Sequence, residues 1–489
     1  MNHRSLLAGF AVGGLTLAFS LTTSAAPAPH PAGPTPGVAC AKGALPESMQ
    51  GRVAASEVKS GRAAKGYRCN ALQVSHDGES GGYHVFRYRD AAGHVCAYYD
   101  TTVLIGRDLA SAVYRKGPGV VVLDMADPRK PVQTDLLSTP AMVTPHESLR
   151  LNEKRGLLVA VAGIPVTLPG QLDVYDVRAD CRHPKLQSTT PTGLLGHESG
   201  FTPDGMTYWS TSWLGSLGTL TATDLSDPKH PQLLTMSTGY VLHGLSFSAD
   251  GKTLYGTDQN SAASGANKGL RILDVSQVQE RRANPQIRQL SYLRWPNIST
   301  PQITEPITVK GHPYLLEADE FDQDGRVGGA RIIDLADVKH PRVVSDLRLA
   351  VNETKTWPQL QDDPGYSGLQ TYTGHYCSVP RRTDPNIVAC SFILSGLRVF
   401  DISDVLHPKE VAYFIPAMTP NTVVLDTPAG QAAAPSGEAA TRRAIQTNNV
   451  EVDERGYIYI VDRANTGLHI LELTGPARSI ANWNAAAKD

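Results

Sequence analysis

The chain has 489 residues with 45 basic and 47 acidic side chains, a formal charge of −2, and 7% aromatic residues. Charges of both signs are interspersed and no basic patch is interleaved with aromatics, so the field that gathers nucleic acid or an anionic membrane is missing. Six cysteines are present, but no two have the close spacing of a zinc cluster.

A basic start (His3, Arg4) runs into an apolar stretch from Leu6 to Leu21 and then into Thr23, Ser24, Ala25 and Ala26, the pattern of a secretory signal peptide over 1–26. The run is shorter than the ~20 residues that span a bilayer, and no later segment approaches that length, so no transmembrane segment is expected after signal removal. The predicted location is outside the cytoplasm: periplasmic, cell-surface or secreted. Cys40 lies too far from the apolar run, behind a poor acylation signal, to be a lipid anchor. Residues 27–68 read as a Pro/Ala-rich tether and lead-in, with Pro27 to Pro36 extended. In an exported chain the cysteines point to disulfides. Cys377 with Cys390, which flank a short segment, is the first expectation, and Cys69 with Cys96 the second.

From Cys69 onward one pattern recurs: a glycine, a short β-rich run and an acidic residue. It reads Gly119 to Asp124, Gly170 to Asp176, Gly218 to Asp224, Gly269 to Asp274, Gly329 to Asp334, Gly396 to Asp401 and Gly467 to Glu472. A second Asp follows in several copies (Asp127, Asp227, Asp337, Asp404), and a proline stands seven positions after the first acid at Pro131, Pro231, Pro341 and Pro408. Asp closes local turns on backbone amides and Pro cannot continue a central ladder, so a strand ends, a fixed turn follows and an outer strand begins. Upstream of each glycine lie two more strands, joined by turns such as Asp204-Gly205, Asp250-Gly251 and Arg455-Gly456. Four-stranded units repeating at about 50 residues are propeller blades. The expected fold is all-β: a seven-bladed propeller over 69–475 with a C-terminal tail over 476–489. The last unit lacks an outer strand, and Cys69–Ser75 is available to close the ring. The fourth unit departs from the pattern, with Gln277 in place of the turn Asp.

These Gly-to-Asp runs and their Ser-Asp turns resemble the LVIVD-repeat proteins, bacterial exported β-propellers, over about Cys69 to Thr474. Gly374 to Pro380 and His146-Glu147-Ser148 are similar to segments of one branch of that family. The resemblance implies the propeller fold and export, and leaves activity open.

The residue just before each innermost strand carries the functional expectation. Counting back eight from the hairpin glycine gives His197, His243 and Asn448; aligning Tyr314 with Tyr457 gives Glu305; loops of other lengths bring His146 and His375 to the same place. Innermost strands line the axis of a propeller, so these side chains can meet. His146, His197, His243, His375 and Glu305 form a candidate first shell for a single Fe, Cu or Zn ion. The alternative is a ring of structural histidines tying blade to blade. Glu147 and Glu198 could orient imidazoles or face solvent. Two insertions, 352–373 with Trp357 and Tyr372, and 416–447, could touch a ligand or form a flap.

Glu320, Asp322 and Asp324 suggest a calcium loop, but Arg331 stands where the closing Glu is needed, so calcium is disfavoured. His183, His230, His340 and His407 fall in outer turns and should be solvated. No nucleophile elbow or phosphate loop is present. Two functions remain open from sequence: a monomeric binding scaffold presenting loops to a protein, glycan or small molecule, and an axial-metal enzyme.

Overall fold

In the computed structural model, described for residues 33–481 apart from 79–81, 102–118, 163–169, 192–195, 213–217, 260–267, 297, 321–327, 367–370, 420–421, 423–443 and 465, seven antiparallel blades form a ring. The innermost strands are Val85–Arg89, Arg150–Asn152, Ser199–Phe201, Leu242–Phe247, Thr300–Val309, Gly374–Ser378 and Thr447–Val452, for blades 1 to 7. The seventh blade is completed by Ala71–Asp77, which pairs with Gly467–Leu473. The ring therefore closes through the N-terminal strand, as the missing last strand required, and hides an edge that would otherwise be open. Among the described residues, no helix is long and apolar enough to cross a membrane.

The repeat folds as its residues dictate. Asp124, Asp224, Asp274, Asp334 and Asp401 each accept the backbone N–H two residues on, at 2.8–2.9 Å. Asp127, Asp227, Asp337 and Asp404 repeat the bond one turn later at 2.8–3.0 Å. In the fourth blade a short helix, Ser276–Gln279, replaces that second turn. Outer strands start as expected at Val132 and Arg342. A serine on four outer strands reaches the turn of the next blade: Ser75 to the Pro128 carbonyl, Ser188 to Pro228, Ser291 to Val338 and Ser345 to Val405, at 2.5–2.7 Å. His183, His230, His340 and His407 are exposed, and the last three bond the Asp three residues before them.

Three features differ from expectation. The described part of the lead-in is no tether: Tyr67–Cys69 adds a fifth strand to blade 6, and Val53, Ala63 and Tyr67 are buried against it. Backbone bonds (Thr35 to Arg348, Val38 to Glu410) and the buried Arg398, paired with Glu47 at 2.8 Å and Glu410 at 3.1 Å, hold it there. Such ties have no apolar period to betray them. Cys377–Cys390 pairs as expected, but Cys69 joins Cys40, and Cys96 joins Cys181. Cys69 sits on the outer edge of blade 6, whereas Cys96 faces the turn of blade 2, so the expected Cys69–Cys96 bridge cannot form. After the last strand, Gly475–Ile480 is helical and buries Ala477. The signal peptide, the calcium-loop residues Asp322 and Asp324, and most of the 416–447 insertion lie outside the described residues.

The closing seam contains a pH-sensitive histidine. His469 and His76 face each other across it, and His469 bonds Gln73 Oε1 at 3.0 Å and Thr466 Oγ1 at 3.1 Å. Burial, helped by His76, pushes the His469 imidazole down to about 3. A depressed value means stability that is complete above the ordinary histidine range near 6.5 and is lost as pH falls toward 3. Acidification from pH 7 to 5 should therefore cost about 2 kcal/mol through this group, and His469→Gln should flatten that loss in denaturant titrations; an unchanged pH slope would refute it.

Candidate metal centre

Each blade delivers its inner strand to the axis, and in blades 4, 6 and 7 the residue near the start of that strand bonds the next blade. His243 Nδ1 lies 3.0 Å from the Gln302 carbonyl, His375 Nδ1 lies 2.8 Å from the Asn448 carbonyl, and Asn448 Nδ2 donates to the Tyr83 carbonyl at 3.0 Å. These are the blade-to-blade ties of the structural reading.

The opposite nitrogens of the same rings converge on one carboxylate. Glu147 Oε2 lies 2.9 Å from His243 Nε2, 3.3 Å from His197 Nε2 and 3.6 Å from His146 Nδ1. The two Nε2 atoms of His197 and His243 are 3.0 Å apart. Glu147 Oε1 is held from the other side by His375 Nε2 at 3.0 Å and by the Gln302 amide at 2.9 Å. Successive residues of an extended strand point to opposite faces, so His146 and Glu147 reach the same space only because the chain turns there. Ser148 N–H donates to the Pro145 carbonyl at 2.9 Å, and His146 takes φ 49°, the left-handed region that side chains other than glycine rarely occupy. That strained conformation costs on the order of 1–3 kcal/mol and points to a site the rest of the fold holds in place.

The electrostatics follow from this packing. Burial alone would raise the Glu147 carboxyl, but His243 and the bonds from His197, His243 and His375 hold it well below the usual carboxylate range. Burial works against His243, and Glu147 outweighs it, leaving the ring raised. His375, lowered by burial but drawn up by Glu320 and Glu147, reaches about 9. His146 goes the other way: burial and its neighbour His197 keep it well below the ordinary value. It is a neutral imidazole whose buried Nδ1 has no hydrogen-bond partner, though it faces the carboxylate.

A second layer lies beneath. Glu198 accepts the Tyr376 hydroxyl at 2.5 Å and the Ser199 N–H at 2.8 Å and pairs closely with Arg150. Its carboxyl is raised by burial against the pull of Arg150. Glu198 Oε2 stands 3.6 Å from His243 Nδ1.

Of the residues expected at the axis, His146, His197, His243, His375 and Asn448 are there, and Glu147 is the centre rather than an accessory. Glu305 is not; it pairs with Arg382 at 2.7 Å farther along the channel, and Gln302 holds its expected place. Blade 5 turns at Lys310-Gly311, two residues earlier than the tyrosine alignment implies, and a bulge between Pro301 and Ile303 shifts the strand by one more. Trp357 and Tyr372 do not reach the axis. Trp357 packs on the core under blades 5 and 6, and the Tyr372 hydroxyl donates to the Val53 carbonyl at 3.0 Å. His84, Arg150, Gln302 and Tyr376 were missed, and Glu320, read as part of a calcium loop, stands 3.2 Å from His375 Nε2. Counting back eight from Gly93 gives Val85, and Tyr83, whose carbonyl accepts from Asn448, holds the axial place in blade 1, so the positional rule does not lead to His84.

No protein-family model matches the chain, and the comparison with curated proteins gave no match. Solved structures share the fold. A candidate 6-phosphogluconolactonase of Bacteroides uniformis superposes with a TM-score of 0.51 at 12% identity, covering 77% of this chain and 94% of that one. Sqt1 of Chaetomium thermophilum gives a TM-score of 0.49 at 12% identity, covering 82% and 99%. Hydrazine synthase of Kuenenia stuttgartiensis gives 0.46 at 10%, covering 82% and 97%. At these identities the likeness concerns the propeller alone.

The second layer makes a stability prediction. Arg150→Ala strands the buried Glu198 carboxylate and should lower the unfolding free energy by about 3–5 kcal/mol, while Arg150→Met combined with Glu198→Gln should recover about half of that loss. A denaturant titration placing Arg150→Ala within about 1 kcal/mol of the parent would contradict the pairing.

Proposed function

We propose that this chain is an exported propeller metalloenzyme that holds one divalent transition ion at its axis and acts on a small molecule. Its ligands are His146 Nδ1, His197 Nε2, His243 Nε2 and Glu147 Oε2. The observation that carries this reading is the two-ended use of His243: Nδ1 meets a backbone carbonyl of the next blade while Nε2 meets the shared carboxylate. Metal-bound histidines are oriented in this way, with the second nitrogen donating to a carbonyl. The structural role and the metal role therefore draw on different atoms of one ring.

Distances support it. Ligand atoms 2.0–2.2 Å from a tetrahedral ion stand about 3.3–3.6 Å apart; the contacts of Glu147 with His197 and His146, at 3.3 and 3.6 Å, match that spacing, and those of His243, at 2.9 and 3.0 Å, are hydrogen-bond distances that an ion would have to widen. Imidazole with carboxylate suits zinc, copper or iron. His375 and Gln302, on the other oxygen, keep Glu147 turned toward the three rings. The His197 side chain is 18% exposed, against 2% for His243, so approach to an ion is from the His197 side.

A scaffold that only presents loops has no use for buried ionisable groups gathered at its axis, whose desolvation is costly. Export is supported by the three disulfides and fits the resemblance to LVIVD-repeat proteins.

Protein expressed with zinc, copper and iron in excess should carry one transition ion per chain by elemental analysis. His197→Ala with His243→Ala should lose it while circular dichroism stays that of the parent, and Gln302→Leu should weaken the affinity about 10–100-fold. Metal-free parent protein under those conditions, or full retention in the double variant, would end the proposal.

A further inference from the structure

One blade junction lacks the tie that fastens several of the others. In the outer strands Lys185–Pro191, Arg288–Leu293 and Arg342–Leu347 the fourth residue is the serine that reaches the next blade. Thr235 holds that place in Gln232–Thr238, the outer strand of blade 3, and among the described residues its hydroxyl reaches no turn of blade 4. The cause lies in blade 4. Its outer strand starts at Arg288, 14 residues after Asp274, whereas Gln232 and Arg342 follow Asp224 and Asp334 by 8. The end of the extra chain, Asn284 to Ile287, forms the far wall of a cleft of about 540 Å³ that faces the outer strand of blade 3.

The walls of the cleft are held in place. Gln277, standing where other blades have the turn Asp, accepts the Gln286 N–H at 3.0 Å, and Gln286 Nε2 donates to the Asn284 carbonyl at 3.2 Å. Arg281 pins the same segment to blade 3 through Asp224 at 3.1 Å and the Met206 carbonyl at 3.0 Å. The floor is apolar: Leu234, Tyr240 and Ile287 line the cleft, are half-buried, and pack on the core between blades 3 and 4. Blade 3 adds the hydroxyl residues Thr235, Ser237 and Thr238, and blade 4 adds the amide residues Asn284 and Gln286. All five keep part or most of their surface in solvent. Among the described residues, no charged side chain lines the cleft. Arg271, whose guanidinium lies 5.5 Å from the Tyr240 ring centre, is paired with Asp258.

We infer that this cleft binds a neutral carbohydrate, a pyranose whose C–H face lies on Tyr240 and Ile287 and whose hydroxyls meet the side chains of Thr235, Ser237, Asn284 and Gln286. A pyranose combines a weakly polar ring face with a rim of groups that both donate and accept hydrogen bonds. Hydroxyl and amide side chains suit that rim because each also does both, and tyrosine supplies apolar area with a polar tip. The lack of charge narrows the class: an anionic or cationic ligand would give up hydration with nothing of opposite sign to meet it. An apolar ligand would displace water from the hydroxyls and amides without replacing its hydrogen bonds. The cleft lies between outer strands, away from the axis, so the inference stands whether or not an ion occupies the ring.

Saturation-transfer NMR on the full chain tests the site, with the methyl glycosides of glucose, galactose and mannose and the disaccharide cellobiose as neutral probes. At least one of them should bind with a dissociation constant in the millimolar range. The uronate and the amino sugar of the same ring should bind at least about fivefold more weakly. Thr235→Val combined with Ser237→Ala, on the blade 3 wall, should weaken the neutral sugar at least about fivefold. Gln286→Leu, on the opposite wall, should weaken it about threefold and reads the same site if the double variant fails to fold. No transfer to any neutral probe at about 50 mM, equal binding of the charged forms or of a neutral capped serine tripeptide, or full affinity in either folded variant would each overturn the inference.

Discussion

A carboxylate is hard to bury, and Glu147 is buried at the centre of the ring. Three blades bring it imidazole nitrogens, a fourth brings His375 and a fifth brings the Gln302 amide. Much of the architecture can be understood as what holds those partners to within a few tenths of an ångström. The tight turn at Pro145–Ser148 swings Glu147 inward, the Nδ1 bonds of His243 and His375 lock each ring to the next blade, and the closing strand Ala71–Asp77 keeps the circle from opening. Loosening any of them leaves an anion in a low-dielectric interior, and that penalty couples the geometry of the site to the integrity of the ring.

Outside the axis the blades are joined by small, repeated devices rather than one large core. Paired Asp turns place the outer strands of blades 1, 3, 5 and 6, and on four outer strands a serine reaches the following turn. Apolar clusters fill the gaps between neighbouring sheets. The disulfides fall where this repetition fails: Cys40–Cys69 fastens the lead-in to blade 6, Cys96–Cys181 fixes the blade 1 to blade 2 contact, and Cys377–Cys390 staples an inner hairpin. The axial residues themselves are polar and, in His146, conformationally strained. Such departures from local preference mark functional sites in otherwise consistent folds.

The ring, the blade count and the closing strand were legible because they rest on local chemistry: an Asp that must cap a turn, a Pro that cannot sit in a ladder, a last unit short of one strand. His197, His243 and Asn448 were legible for the same reason, as positions at a fixed distance from a turn, and His146 and His375 by allowing loops of other lengths. What failed was whatever depends on a third dimension. Glu305 was taken for Gln302 because an early hairpin turn and one bulge moved the register by three residues. Cys69 and Cys96 are neighbours along the chain but belong to different blades. Glu147 looked accessory because an extended backbone would have turned it away from His146, and nothing in the residue order announces the left-handed turn that brings both inward.

The most direct measurement of the central claim is X-ray absorption spectroscopy on the metal-loaded protein. Three imidazole nitrogens and a carboxylate oxygen at about 2.0–2.2 Å, with the outer-shell scattering of histidine rings, are the predicted result. A shell of water-like oxygens without imidazole scattering would show that the rings gather round Glu147 as an ion-pair network alone.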